Sequence, residues 1–147
     1  MAATINILFN LKGTVSGQNV SIGSATTPAT ITLSSDVYTD DTTTLATATT
    51  ASLWQDGAAT EHISQFAAAV ITSTQDIFVE LVCDLGNEVG DEKFCQKITA
   101  NIPFIIPSSV AKANYDGAFG GTNDRIERIR ARNESGSTAV IRLLLLK

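Results

Sequence analysis

The segment Asp76-Ile-Phe-Val-Glu-Leu-Val-Cys-Asp-Leu85 places Ile77, Val79, Leu81 and Cys83 on one side of an extended chain and Phe78, Glu80, Val82 and Asp84 on the other. Side chains that alternate with a period of two read as a β-strand, whereas an amphipathic helix would repeat its apolar positions every three to four residues. The same period recurs along most of the sequence. Ile5, Ile7, Phe9 and Leu11 alternate with Thr4, Asn6, Leu8 and Asn10, and Gly13 reads as the end of that strand. Val15 to Ile22 and Ala29 to Ser34 read as the next two strands, the latter introduced by Pro28 at a permitted strand start.

Further along, Asp36 to Asp41 reads as a polar loop, and residues 42–73 as a long hairpin folded about Gln55-Asp56-Gly57. Asp-Gly accepts the positive φ angles that a tight turn demands. The second arm of that hairpin, His62 to Thr74, contains Phe66-Ala-Ala-Ala-Val-Ile71, where a short helix competes with the favoured strand. Gly86 to Glu92 turns the chain, and Phe94 to Ile102 returns as the partner of the 76–85 strand. Pro103-Phe-Ile-Ile-Pro107 is barred from the middle of a sheet, because proline cannot donate to the ladder. Residues 108–123 read as an irregular loop, with one helical turn at Ser109-Val-Ala-Lys-Ala113 as the alternative.

Arg125 to Arg132 leads through Asn133-Glu-Ser-Gly-Ser137 into Thr138 to Lys147, which reads as a last hairpin. In its second arm Ala139, Ile141, Leu143 and Leu145 form one face, while Val140, Arg142, Leu144 and Leu146 form the other. A strand apolar on both faces is either central and covered twice or part of an interface with another chain. About eight to ten short strands separated by turn signals predict an all-β protein, an antiparallel β-sandwich or jelly-roll-like body, with residues 1–147 forming a single domain.

Composition narrows the function. The content is 44% hydrophobic and 17% charged, with 19 Thr and 12 Ser, so the chain can build a core and covers its surface with small hydroxyls rather than charges. The net charge of −5 argues against general nucleic-acid binding. Residues 125–147 nevertheless carry +4 against −9 for the remainder, a basic edge on an acidic body. Met1 to Phe9 does not have the basic region and long apolar stretch of a secretory signal, and no apolar run approaches the roughly 20 residues that span a bilayer. A product assembled in the cytoplasm, without a membrane partner, is the expectation.

Residues able to do chemistry are sparse. The single histidine, His62, would have to serve any Ser-His-Asp, Cys-His or two-His metal site, and no nucleophile signature surrounds it. Cys83 and Cys95 lie symmetrically about Val89, so a cross-strand disulfide is conceivable, with buried thiols the favoured state and a zinc site short of ligands. The acidic runs at Asn87 to Glu92 and at Asp36, Asp40 and Asp41 do not have EF-hand spacing. Glu80 and Asp84 share a strand face without any sign of a glycosidase cleft, and Gly120-Gly121 is not followed by the lysine of a phosphate loop. No enzyme and no cofactor is expected. The sharper candidates are an interface comprising Arg128, Arg130 and Arg132, alternating onto one strand face as an inter-subunit salt-bridge row, together with Arg142, Leu144 and Leu146. The alternative is a carbohydrate- or receptor-binding module with Trp54, Tyr38 and Tyr115 as its aromatic platform.

The entry into Thr4-Ile-Asn-Ile7, the Thr/Ala/Ser texture of residues 24–60 and the ending Arg130-Ala-Arg-Asn-Glu-Ser-Gly-Ser-Thr-Ala-Val-Ile-Arg-Leu143 resemble the small β-rich structural proteins of tailed bacteriophage particles. Capsid cement or decoration proteins and related head, neck or tail subunits are the members meant. The likeness is one of texture over most of the chain, without a diagnostic motif. It implies a non-enzymatic virion protein, a dimer or trimer, that is assembled in the host cytoplasm and reinforces a capsid lattice by binding the major capsid protein or other virion proteins.

Overall fold

The computed structural model describes residues 4–8, 10–15, 18–24, 26–32, 37–56, 63, 65–83, 92–111 and 124–147, and every described element is a β-strand. His62, Tyr115, Asp36, Asp84, the acidic run at 87–91 and Gly120-Gly121 lie outside these residues. Where the sequence reading takes residues 1–147 as one domain, the backbone contacts gather into two compact units, Met1–Asp36 and Val37–Lys147.

The first unit contains β1 (Thr4–Ile7), β2 (Asn10–Val15), β3 (Gln18–Gly23) and β4 (Ala29–Thr32). β1 pairs antiparallel with β4, from Thr4 opposite Thr32 to Ile7 opposite Ala29. β2 and β3 form a hairpin in which Gly13 faces Val20, so the strand runs through Gly13 instead of ending there. Nothing lies within 4 Å of a Cβ built at Gly13, and the ladder tolerates the residue. Before β4, the Ser24 hydroxyl accepts the Thr27 N–H at 2.8 Å, a local turn that lets the chain re-enter extended backbone.

The second unit is a β-sandwich. Its strands are β5 (Tyr38–Leu45), β6 (Thr50–Gln55), β7 (Ala68–Ser73), β8 (Ile77–Cys83), β9 (Glu92–Ile98), β10 (Phe104–Ile106), β11 (Val110–Ala111), β12 (Asp124–Asn133) and β13 (Ala139–Leu146). One sheet has the order β10-β7-β13-β5. The other centres on β12, which pairs with β8 and β9 beyond it, with β6 opposite residues 128–132, and with the short β11 at residues 124–125. All pairings are antiparallel. Period-two patterning turns Ile141, Leu143, Leu145, Ile71 and Ala69 of the first sheet toward Ile129, Ala131, Ile77 and Val79 of the second, in one buried cluster. Each large aliphatic side chain so enclosed contributes about 1.5–3 kcal/mol relative to leaving it in water. Trp54 closes the cluster with its ring edge-on to Phe66 at 5.3 Å and its indole N–H donated to the Ile63 carbonyl at 2.9 Å.

Several expected connections are corrected. Asp40 and Asp41 belong to β5, not to a loop, and residues 42–73 do not form a hairpin: β5 and β7 flank β13 in one sheet while β6 pairs with β12 in the other. The chain crosses between sheets at Ala46 to Thr49, where Ala48 adopts φ 59°. β12 and β13 are likewise not a hairpin, since each is the inner strand of a different sheet. Phe104–Ile106 does form the proline-bracketed edge strand that the sequence requires, and Ala68–Ser73 is a strand rather than a helix.

Four sheet-to-sheet crossings, at residues 46–49, 74–76, 99–103 and 134–138, therefore start and finish at the same end of the sandwich. Asn133, fully buried, binds two of them together. Its Nδ2 donates to the carbonyls of Leu45 at 2.8 Å and Ser137 at 2.7 Å, and its Oδ1 accepts from the Ser135 N–H at 3.0 Å and hydroxyl at 2.8 Å. Its backbone bonds to Ala48 and Thr49. Replacing it with alanine removes the side-chain partner of the buried Leu45 carbonyl and of the part-buried Ser135 N–H. Urea denaturation of Asn133→Ala is expected to show a loss of about 2–3 kcal/mol with an unchanged m-value; an unaltered midpoint would contradict this role.

Candidate functional site

With the inner faces filled by the core, chemistry is left to the outer faces. On the second sheet Arg128, Arg130 and Arg132 share the outer face of β12, opposite buried Ile129, Ala131 and Asn133, as their alternation predicts. Cross-strand register sets Arg132 beside Phe78 and Lys97, Arg130 beside Glu80 and Cys95, and Arg128 beside Val82 and Lys93. The arginines are committed within the chain: Arg130 Nη1 lies 3.0 Å from Glu80 Oε1, and Arg132 Nε lies 2.6 Å from Glu134 Oε1. Lys97 pairs with Asp76 at 2.8 Å, and Arg125 with Asp56 at 3.0 Å. Around the Arg130–Glu80 and Arg132–Glu134 pairs lies an open groove of about 350 Å³, lined also by Thr50, Phe78 and Cys95.

On the first sheet the outer face of β13 carries Val140, Arg142, Leu144 and Leu146, so the arginine row and the Arg142–Leu146 group stand on opposite sides of the sandwich and not at one site. Leu146 is itself buried. Arg142 grips Asp40 of β5 with two hydrogen bonds, Nε to Oδ1 at 2.7 Å and Nη2 to Oδ2 at 2.6 Å. Register aligns Ile105, Val70 and Leu144 into an apolar cross-strand row ending at Asp40. Tyr38 (66% exposed), Val140 and Ile105 leave large apolar surface in solvent on this side.

The hydrogen bond from Arg142, aided by its charge, holds the Asp40 carboxyl below the ordinary carboxylate range, and the same contact raises the guanidinium. Asp76 is lowered by its hydrogen bond from Lys97 and then by the Ala100 N–H, 3.0 Å away. A carboxylate depressed in the folded state stabilises it above the unfolded pKa, and that help is lost as the pH falls through the folded value. Both contributions are therefore intact at neutral pH and disappear below the ordinary carboxylate range. In an NMR titration Asp40 is expected to ionise below its ordinary value and to return to it in Arg142→Ala; an unmoved midpoint in the variant would refute the pair.

Other sequence candidates fall away on geometry. Trp54 is buried at 1% exposure with its N–H already bonded, so it cannot serve as a glycan platform, although Tyr38 remains exposed. Cys83 stands opposite Glu92 and Cys95 opposite Glu80, a register three residues away from the symmetric pairing. The two thiols thus sit on opposite faces of the sheet and about 10 Å apart along it, beyond disulfide reach; neither is disulfide-bonded, and Cys95 is exposed rather than buried. Peptide mapping after mild oxidation of the native protein is expected to recover no Cys83–Cys95 link, and finding one would overturn this register. Among the described residues no group of three or more His, Cys, Asp or Glu side chains converges on a metal position. Phe78, Thr50 and Glu134 had no sequence signal as site residues, because only strand pairing brings them together.

Comparison with family models, with curated proteins and with solved structures yields no match for this chain.

Proposed function

We propose that the protein is a non-enzymatic structural subunit of a virus particle, of the tailed-phage kind, with capsid decoration as its place. The observation that carries the assembly part is the Ile105–Val70–Leu144 row on the outer face of the first sheet, with exposed Tyr38 in the next register row and Val140 beyond Arg142. Soluble monomers rarely leave contiguous apolar surface uncovered, and such patches mark contacts with other chains. The Arg142–Asp40 pair beside the row would give it a polar rim. The virion placement is supported by the resemblance of the Thr/Ala/Ser-rich segment and the C-terminal stretch to phage head and tail proteins. Major capsid protein, another virion protein or a second copy, giving a dimer or trimer, are the partners this reading implies. Repetition over a lattice would make modest individual contacts sufficient.

Purified particles from the source are expected to contain this polypeptide at lattice stoichiometry by mass spectrometry, and its absence from intact particles would end the proposal. Ile105 lies on a short edge strand, so Ile105→Asp is expected to fold normally by circular dichroism yet bind particles about tenfold or more weakly, from the loss of roughly 1.5–3 kcal/mol of apolar burial. Full occupancy by the variant would remove this face from the contact.

A further inference from the structure

We infer that the groove on the outer face of the second sheet is a binding site for a neutral saccharide, an inference independent of the assembly reading and located on the opposite side of the sandwich. It is built by four strands and the residue that follows β12: Thr50 from β6, Phe78 and Glu80 from β8, Cys95 from β9, Arg130 and Arg132 from β12, and Glu134 beyond it.

The charge balance selects the ligand. Arg130 is matched by Glu80 and Arg132 by Glu134, so the groove has no net charge from these side chains. A free anion meets no uncompensated positive charge here and a cation no uncompensated negative one, so neither gains the net attraction of an open ion site. A ligand with adjacent hydroxyls needs donors and acceptors side by side and disturbs neither pair. The pairs leave capacity for this: Arg130 gives Nη1 and Arg132 gives Nε, out of the five N–H donors on a guanidinium, and each carboxylate receives through Oε1, one of two oxygens. All four side chains are partly exposed, with Arg132 and Glu134 about half open to solvent at 53% and 50%.

Phe78 supplies the second requirement. It lies half-buried beside Arg132 in the ladder and offers an apolar surface against which the C–H face of a sugar ring can rest. Thr50, Glu80, Arg130 and Arg132 stand on paired strands and Glu134 directly follows β12, so most of the polar groups are held before the ligand arrives, which reduces the ordering cost of binding. An open, shallow groove with few donors places affinity for a single saccharide at about 0.1–1 mM.

The test is an amide-detected NMR titration of the full chain with maltose, cellobiose and lactose, and in parallel with 3′-sialyllactose and inorganic sulfate. At least one neutral disaccharide is expected to shift the amides of Thr50, Phe78, Arg130 and Glu134 saturably. Arg132→Ala is expected to weaken that binding by about tenfold, the effect of one lost charge-assisted hydrogen bond. Arg142→Ala, on the other sheet, is expected to leave it unchanged. Failure of all three neutral sugars, saturable shifts with sialyllactose or sulfate alone, or equal binding by wild type and Arg132→Ala would each overturn the inference. Thermal melts of both variants separate a lost contact from a lost fold.

Discussion

Hydrophobic burial brings two sheets together but does not by itself determine how one is placed on the other, because it has no direction. In this sandwich the direction comes from the buried carboxamide of Asn133, whose donors and acceptor hold Leu45, Ser135 and Ser137. Its main chain reaches Ala48 and Thr49 as well, so the crossings from β5 to β6 and from β12 to β13 are held by one residue. Beside it, Asn101 donates its N–H to Ser73, Asp76 accepts from Ala100, and Thr74 exchanges bonds with Val140. Ser109 does similar work away from this seam, bonding to Phe66 before β7 and accepting from Ile126 of β12. Among these, Asn133 and Ser109 are buried, and interior polar groups are costly unless partnered, as both are here.

Once the sheets are registered, the two outer faces acquire different characters from the same alternation. On the second sheet the outward positions include arginine, glutamate, lysine and threonine, several paired as opposite charges around Phe78 and Cys95. On the first they are isoleucine, valine and leucine in a row that ends at the Arg142–Asp40 contact. A chain with only 17% charged residues has concentrated many of them on one side, leaving the other suited to apolar contact.

Which side of a strand faces the interior was largely legible from sequence, because period-two alternation carries that information directly: β8 buries Ile77, Val79 and Leu81 and β13 buries Ala139, Ile141, Leu143 and Leu145 as their patterns assign, while Val82 and Leu146 on the opposite faces are buried as well. The prolines at 103 and 107 also identified an edge strand. Strand partners were not legible, because a crossing between sheets and a hairpin within one can share a local sequence. Asn133-Glu-Ser-Gly-Ser137 has the composition of a hairpin loop, and only the burial of Asn133 reveals it as a crossing. Ala46 to Thr49 contains no glycine, proline or asparagine to announce its turn. Trp54 defeated the alternation rule itself: both Leu53 and Trp54 are buried, next to a register shift in the pairing with β12. The arginine row was visible, whereas its carboxylate partners were not, since Glu80 lies 50 residues from Arg130.

The position of β12 and β13 has a consequence for biosynthesis. Each is an inner strand of its sheet, yet both follow every strand they organise. While residues 37–111 leave the ribosome, β5 and β7 still await β13, and β6 and β8 await β12; among the described strands of this unit only the β8–β9 ladder and the short β11–β12 pairing join sequence neighbours. The nascent sandwich must hold its leucines and isoleucines exposed until residues 124–146 emerge, and then close in one late step, a long-range topology of the kind that folds slowly and favours chaperone attention.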